Sequence, residues 1–392
     1  MESNAELREA FNAVQPLLLQ YQAEYLYTPG LWERMEAYAA TDEAKTLDPV
    51  RARHLELGIK EFERNGINLP KEQQAKLNEI RVELGQLMTK FAENVLDSTN
   101  EYELLVTDEA RLAGIPENAL EQAKRGAEAA GKDGWRFTLQ MPSLFPVLRF
   151  ASDRSLREEL YTANENVAIS GDTDNGPLVQ RILALRQQLA NMLGYSNFAD
   201  FQTELRMVGS GQNAVNFVQE LHEATVPYFT KETEELAAFA KSDLGIEQLQ
   251  PWDIAFATEK LREKKFSLDN EKLRPYFPLE RVKAGIFGLT EQLFGGRIEP
   301  AEGVPVWHEE VETYKFFNED GEEVGLFYVD WFPRESKRSG AWMNSLYTAD
   351  RTPGSSDKHI GLFVCNFTPP NSEGVALLTH DEVLTALHEF GH

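Results

Sequence analysis

The sequence of 392 residues is 42% hydrophobic and 10% aromatic, which is enough apolar material for two or three domains with a large buried core. Its 64 acidic and 39 basic residues give a formal net charge of −25, and this field repels phosphate backbones and anionic lipid surfaces. The N-terminal stretch is polar and acidic, and no apolar run reaches the roughly 18 residues of a membrane span. We therefore expect neither nucleic acid nor membrane as a partner.

The first three-fifths of the chain have the pattern of amphipathic helices. From Pro70 onward, apolar residues recur every three or four positions, which predicts one long helix with a continuous apolar face. The residues of this stripe are Leu77, Ile80, Leu84, Leu87, Phe91 and Val95. Similar stripes predict helices over 177–193 and 212–241, so the fold class is mainly α. Two strand-like pieces, 102–107 and 135–140, flank a predicted helix near 116–130, and we place a boundary near residue 150.

After about residue 300 the pattern becomes that of β-strands. Segments 306–317 and 324–332 are rich in Val, Phe, Tyr and Trp, and the Asn-Glu-Asp-Gly loop between them suits a hairpin. A third strand-like run covers 361–368. Together these segments predict a small, mainly antiparallel sheet beside the helices. The single cysteine, Cys365, lies in the third run, so no internal disulfide is possible and we expect a cytoplasmic protein with one buried thiol.

The last predicted helix carries the clearest chemical signal. Thr379 and Glu382 fit a capping box, so a helix should begin here. An apolar stripe of Val383, Leu387 and Phe390 is expected to face the core. On another face lie His388 and His392, four residues apart, with Glu389 beside them.

Two imidazoles at positions i and i+4 can reach one zinc ion from the same side of a helix. A carboxylate next to them can take a proton from a water that attacks a peptide carbonyl and then pass it to the leaving amine. His388 and His392 are therefore the candidate metal ligands and Glu389 the candidate catalytic base of an HExxH peptidase. The structural alternative is a pair of histidines on a helix surface with no metal.

The same residues resemble a known family. The ending LLTHDEVLTALHEFGH, residues 377–392, is similar to that of the M3 zinc metallopeptidases, the thimet oligopeptidase and oligopeptidase A family. Further segments resemble the bacterial oligopeptidase A branch in the same order along the chain. They are PWDIAFATEK (251–260), LRPYFPLERV (273–282), KRSGAWM (337–343) and CNFTPP (365–370).

The resemblance implies a zincin-type helical scaffold and a zinc-dependent endo-oligopeptidase that degrades short unstructured peptides, including signal-peptide remnants, with one Zn²⁺ per complete site. Residues 1–150 would form an N-terminal helical region and 151–392 the catalytic region. His388 and His392 match the zinc-binding histidines, and Glu389 matches the base. The peptide-contacting residues implied by the same match are Gly340, Ala341, Trp342, Asn366 and Phe367.

The family's third zinc ligand is a glutamate well downstream of HExxH, and further helices precede the segment that matches the start of this chain. We therefore expect an internal piece of such an enzyme that lacks the third ligand and is inactive by itself. One alternative is a catalytically dead helical protein that acts only by binding partners. Another is a different HExxH peptidase such as an M32-type carboxypeptidase, against which the PWD and GAWM segments argue. Oligomeric state is not predicted.

Overall fold

The computed structural model describes residues 3–350 and 356–392, and most of them are helical. The predicted long helix is present as Lys71–Glu101, and the other two predicted helices are present as Gly176–Met192 and Gly211–Leu244. The mainly α class is therefore confirmed. The helices are α1 (Ala5–Leu26), α2 (Leu31–Ala39), α3 (Pro49–Arg64), α4 (Lys71–Glu101), α5 (Glu117–Ala129), α6 (Met141–Phe150), α7 (Arg154–Glu165), α8 (Gly176–Met192), α9 (Phe198–Thr203), α10 (Gly211–Leu244), α11 (Pro251–Phe266), α12 (Leu279–Phe294) and α13 (His380–Gly391). In the described ranges, no helix combines the length and apolar character that crossing a membrane requires.

The strands form two separate groups. They are β1 (Glu103–Val106), β2 (Trp135–Thr138), β3 (Arg297–Pro300), β4 (Glu312–Phe317), β5 (Glu323–Asp330), β6 (Trp342–Tyr347) and β7 (His359–Val364). Strands β1 and β2 pair antiparallel on either side of α5, as the sequence predicts. Within the described residues the second sheet has the order β3-β4-β5-β7-β6. Only its β5–β7 pairing is parallel, so the predicted small, mainly antiparallel sheet is confirmed.

The chain divides into two units by internal contacts. One unit contains Leu96–Val167 and Glu232–His392, and the other contains Asn4–Val95 and Ala168–Lys231. The predicted boundary near 150 lies inside the first unit, because α6 and α7 share a core with β1 and β2 on both sides of it. The division into 1–150 and 151–392 stays a prediction about regions of sequence.

Each unit has its own apolar core. In the second unit, the stripe of α4 packs on α8 through Leu77, Ile80, Leu185 and Leu189. In the first unit, a core of aromatic and aliphatic side chains fills the space between the five-stranded sheet, α12 and α13. This core of the first unit contains Trp331, Phe363, Cys365 and Phe367. The predicted burial of Cys365 is confirmed, and burial raises the pKa of its thiol.

Candidate active site

Helix α13 begins where the sequence predicts. The Thr379 hydroxyl oxygen accepts a hydrogen bond from the Glu382 amide at 3.0 Å, and Glu382 Oε2 accepts one from the Thr379 amide at 2.7 Å. This reciprocal pair satisfies two of the amides that a helix start leaves without intrahelical partners. The first turn also carries Asp381 and Glu382, whose negative charge the helix dipole favours.

The capping glutamate has a second function that the sequence pattern did not reveal. Glu382 Oε1 accepts hydrogen bonds from the amide of Thr368 at 2.6 Å and from its hydroxyl at 2.9 Å. Thr368 lies four residues after the end of β7, so one carboxylate connects the start of α13 to the segment that leaves the sheet. Buried Arg274 adds to this support, since its guanidinium donates to the Leu377 carbonyl at 3.0 Å. The position of the helix is therefore fixed at its first turn.

Aromatic packing fixes the rest of α13. The Phe390 ring lies 6.2 to 6.3 Å, centroid to centroid, from the rings of Phe287, Phe327 and Phe363. Ala386, one turn earlier, is fully buried, and its small side chain allows the helix to approach the sheet closely. Leu387, which we expected in the apolar stripe, is 41% exposed, and that expectation is wrong. The buried face follows the i, i+3, i+7 positions, and a pattern of apolar letters does not distinguish i+3 from i+4.

The two histidines lie together on the exposed side of α13. Their Nε2 atoms are 3.3 Å apart, and the ring centroids are 4.9 Å apart with the rings nearly perpendicular. Both side chains are exposed. The i, i+4 spacing on a regular helix thus brings both ring nitrogens to a common point.

This separation can be tested against zinc coordination. Two nitrogens at about 2.0 to 2.1 Å from a tetrahedral zinc ion are about 3.3 to 3.4 Å apart. The observed Nε2–Nε2 distance of 3.3 Å has this value, so His388 and His392 fit as two ligands of one ion. Over residues 3–350 and 356–392, no group of three or more His, Cys, Asp or Glu converges as a metal site.

Glu389 connects this pair to the sheet. Its Oε2 accepts a hydrogen bond from the Met343 amide at 2.9 Å, and its side chain is half-buried. Met343 lies in β6, which is an edge strand of the five-stranded sheet among the described residues. At this residue, β6 directs its amide to Glu389. The candidate base, which follows His388 in sequence, is therefore bonded to an edge strand.

Three of the predicted peptide contacts lie at the start of that strand. Gly340 is exposed with φ +94°, a conformation that side chains rarely adopt, and it ends the turn before β6. Ala341 packs against the core of the sheet, and half-buried Trp342 is the first residue of β6. The Arg338 guanidinium carbon lies 4.2 Å from the centroid of the Trp342 ring. The structure thus brings these three residues to one edge, close to Glu389.

The other two predicted contacts lie in the segment after β7. The Asn366 side-chain amide donates to the carbonyls of Arg338 and Gly340, at 3.0 and 2.6 Å, so it fixes the turn before β6. Phe367 is 3% exposed and stacks on Trp331 with ring centroids 5.9 Å apart. Its ring is part of the core, and its backbone amide donates to the Trp331 carbonyl at 2.9 Å. A peptide-binding function for all five residues stays a prediction.

Sequence reasoning missed β6 itself. Residues 343–347 are all exposed, so the strand has no buried face and shows no alternation of apolar and polar residues. The glycine of Gly-Ala-Trp, which predicts a turn, was the one local signal at this position.

The sequence is similar to known proteins along its whole length. The family model described as "Peptidase family M3" matches residues 147–392, well over half of the chain. Oligopeptidase A of Salmonella typhimurium and that of Escherichia coli are each 38% identical over 398 residues, which cover all of this chain and 58% of each relative. Dipeptidyl carboxypeptidase of Escherichia coli is 32% identical over 374 residues, covering 94% of this chain and 55% of that protein. The chain thus spans a little over half the length of these relatives, and the extent of the match shows that it belongs to peptidase family M3.

Proposed function

We propose that the site on α13 is that of a zinc-dependent endo-oligopeptidase that cleaves short unstructured peptides, as an oligopeptidase A would. The observation that carries this proposal is the 3.3 Å separation of the Nε2 atoms of His388 and His392, with Glu389 adjacent on the same helix. Peptides inside the cell, including remnants of signal peptides, are the proposed substrates. The single buried cysteine fits the reducing cytoplasm in which we place the protein.

Each side chain has a distinct task in this proposal. His388 and His392 would hold the metal through Nε2. A bound zinc ion would polarise the peptide carbonyl and lower the pKa of water toward neutrality. Glu389 takes a proton from the attacking water and delivers it to the amine of the departing peptide fragment. The hydrogen bond from the Met343 amide holds the Glu389 carboxylate against β6 before substrate arrives.

The outer edge of β6, where no further strand pairs among the described residues and where Glu389 already takes the Met343 amide, supports a peptide as the substrate. An extended chain can add to an exposed strand edge through backbone hydrogen bonds, which give affinity without requiring a particular sequence. Gly340, Ala341 and Trp342 lead into this edge, and Asn366 fixes the turn that precedes it. A peptide aligned on β6 would present its backbone beside Glu389. Only an extended segment can pair in this way, which favours short unstructured substrates over folded proteins.

Zinc titration tests the metal part of the proposal. We expect calorimetry to show zinc binding by this chain that disappears in the double variant His388→Ala, His392→Ala. With two imidazoles as the donor set, we expect a Kd above the micromolar range and no peptide turnover by the 392-residue chain alone, because zinc sites ordinarily use at least three protein ligands. Equal zinc binding by the double variant would refute the assignment of these histidines.

Cleavage by the complete protein tests the substrate part. Quenched fluorescent peptides with free and with blocked C-termini should be cut internally at similar rates in the presence of zinc. Release of C-terminal dipeptides only, as in the name of one relative, would replace the endopeptidase proposal with an exopeptidase. No hydrolysis of any peptide by the zinc-loaded complete protein would favour a protein that acts only by binding.

A further inference from the structure

A fully buried lysine lies under the connection between β5 and β6. Residues 331–341, here called the 331–341 connection, join these strands, and the side chain of Lys337 has 0% exposure. Its ammonium group donates to the backbone carbonyls of Asp330, Phe332 and Cys365 at 3.0, 2.7 and 2.5 Å, and to Asp330 Oδ1 at 2.9 Å. Lysine is rarely buried unless its charge is paired. The three carbonyls belong to three different places along the backbone, so this ammonium group joins the end of β5, the connection and the residue after β7.

The carboxylate of Asp330 completes this cluster. Arg334 donates to both of its oxygens at 2.9 and 2.6 Å, and the Trp307 indole donates at 3.1 Å. Burial alone would raise the pKa of Asp330, but the hydrogen bonds from Arg334 and Lys337 outweigh it and lower the pKa to about 2. The carboxylate is therefore ionised and can hold both cations.

The contacts of Lys337 continue toward the candidate site. The next residue, Arg338, stacks on Trp342, and the Arg338 carbonyl accepts a hydrogen bond from Asn366. Trp342 opens β6, and the following residue, Met343, donates its amide to Glu389. Five residues separate the buried ammonium from that amide. A shift of the connection at Lys337 would therefore change the position of the Met343 amide relative to the Glu389 carboxylate.

A lysine suits this position for a physical reason. Three carbonyl oxygens and Asp330 Oδ1 converge on one point, and a compact ammonium group with three N–H donors can serve these four acceptors when one N–H is shared between two of them. An apolar side chain of similar length would remove this donor from the Phe332 and Cys365 carbonyls, whereas the Asp330 carbonyl would keep its bond from the Cys365 amide at 2.8 Å. The loss at two buried carbonyls favours a rearrangement of the connection over its observed path. The arrangement holds the path of the backbone in addition to contributing stability.

We propose that Lys337 is a positioning residue that sets the placement of β6 against Glu389 and so shapes the edge that receives the peptide. The peptide part rests on the proposed function, whereas the placement of β6 does not depend on it. The cluster of Lys337 and Asp330 acts through the backbone and touches no substrate.

The test compares two buried lysines of the same unit. Lys337→Met removes the ammonium from the connection. Lys283→Met is the matched control, because Lys283 is 6% exposed and its ammonium bonds to side chains, Glu280 at 2.7 Å and Glu312 at 2.9 and 3.1 Å. Glu312 also accepts from the Trp331 indole at 2.8 Å, so the control changes a side-chain contact of the connection while leaving the backbone bonds of Lys337 in place. Hydrogen exchange of the Met343 amide is measured by NMR and normalised to the most protected amides of each variant. Affinity for an unstructured nonapeptide labelled with a fluorophore is measured by anisotropy.

We expect normalised exchange at Met343 to be about tenfold faster in Lys337→Met than in Lys283→Met, because only the first variant opens β6 locally. Peptide affinity should fall about tenfold in the first variant and stay near wild type in the second. Equal normalised exchange in the two variants overturns the proposal. If the wild-type chain binds no peptide, the proposed function fails for this chain while the exchange result still decides the placement of β6. Should Lys337→Met not fold, Lys337→Arg replaces it, since a guanidinium does not donate to three carbonyls from one point. Unchanged exchange at Met343 in that variant would refute the inference.

Discussion

Helix α13 and strand β6 meet at the same candidate site but are held by different forces. Helix α13 depends on a capping box built within four residues and on the aromatic contacts of Phe390. Strand β6 is exposed and depends on the 331–341 connection, which a buried ion cluster holds in place. The strength of apolar packing does not depend on pH or on the orientation of the contacting groups. An ion cluster requires a particular geometry and weakens when its carboxylate is protonated. The two sides of the site should therefore respond to different perturbations.

Glu389 belongs to both sides, so its loss should have the largest effect. In the zinc-loaded complete protein, Glu389→Gln should lower kcat by about 10² to 10⁴-fold, because the amide does not accept the proton of the attacking water. Zinc affinity should stay unchanged, since both histidines remain. Peptide cleavage and zinc titration check this pair of expectations, with Glu373→Gln, an exposed change in the same unit, as the control. Near-normal turnover in Glu389→Gln would show that another group is the base.

Removing the aromatic anchor tests the apolar side of the comparison. Phe390→Ala should lower the free energy of unfolding by about 3 kcal/mol, because it removes a ring that contacts three others. Leu387→Ala, on the same helix but 41% exposed, should change it by less than about 0.5 kcal/mol. Urea denaturation measures both. Similar losses in the two variants would mean that α13 packs on a different face.

Acid should destabilise the ion cluster of Asp330, which holds the 331–341 connection before β6. The folded pKa of Asp330 is about 2, below its ordinary value of 3.8, so its contribution to stability is fully present above about pH 4. That contribution, about 2 kcal/mol, is lost as the pH falls from about 4 to about 2. Urea midpoints followed by tryptophan fluorescence should show this loss, because Trp307 donates to Asp330.

Two variants separate this effect from other acid transitions. In Asp330→Asn, the part of the pH dependence due to this carboxylate should vanish. Glu204 of the second unit also has its pKa lowered to about 2, since hydrogen bonds from Tyr195, Lys60 and Arg64 outweigh its burial. Glu204→Gln should therefore leave the fluorescence transition of the Asp330 region in place. If Glu204→Gln removed the fluorescence transition and Asp330→Asn did not, the acid sensitivity would belong to the Glu204 cluster and the prediction would be wrong.

The helix cap should give the smallest effect. Thr379→Ala should cost about 1 kcal/mol, because the Glu382 amide loses its acceptor at the start of α13. Thr385→Ala is the matched control, since its hydroxyl bonds only within the helix, to the Asp381 carbonyl at 3.0 Å. Alanine favours helices there, so this variant should be neutral or slightly more stable. Thermal denaturation of the two variants measures the difference, and an equal change in both would remove the capping box as the cause.

Local pattern was sufficient where neighbours in sequence are also neighbours in space. The long α4 helix, the β1–β2 pair around α5 and the start of α13 at Thr379 follow from periodicity and capping residues. The convergence of His388 and His392 also follows from helix geometry alone. The sequence did not predict β3 and β6. Both are short strands with little burial, and an unburied strand has no hydrophobic period to detect.

The amino-acid sequence by itself determined the candidate catalytic helix and its residues, because these depend on spacing within one element. It also determined the family, because the similarity extends over much of the chain. Tertiary structure decided what lies opposite that helix. The contact of Glu389 with Met343 spans 46 positions, the bond from Glu382 to Thr368 spans 14, and Lys337 reaches 28 residues ahead to Cys365. Such contacts form only when the sheet has closed around its core. A buried ammonium group without hydrogen-bond acceptors would be costly, so it bonds to the carbonyls that the fold brings near it. The edge that would receive a peptide is therefore a property of the folded chain.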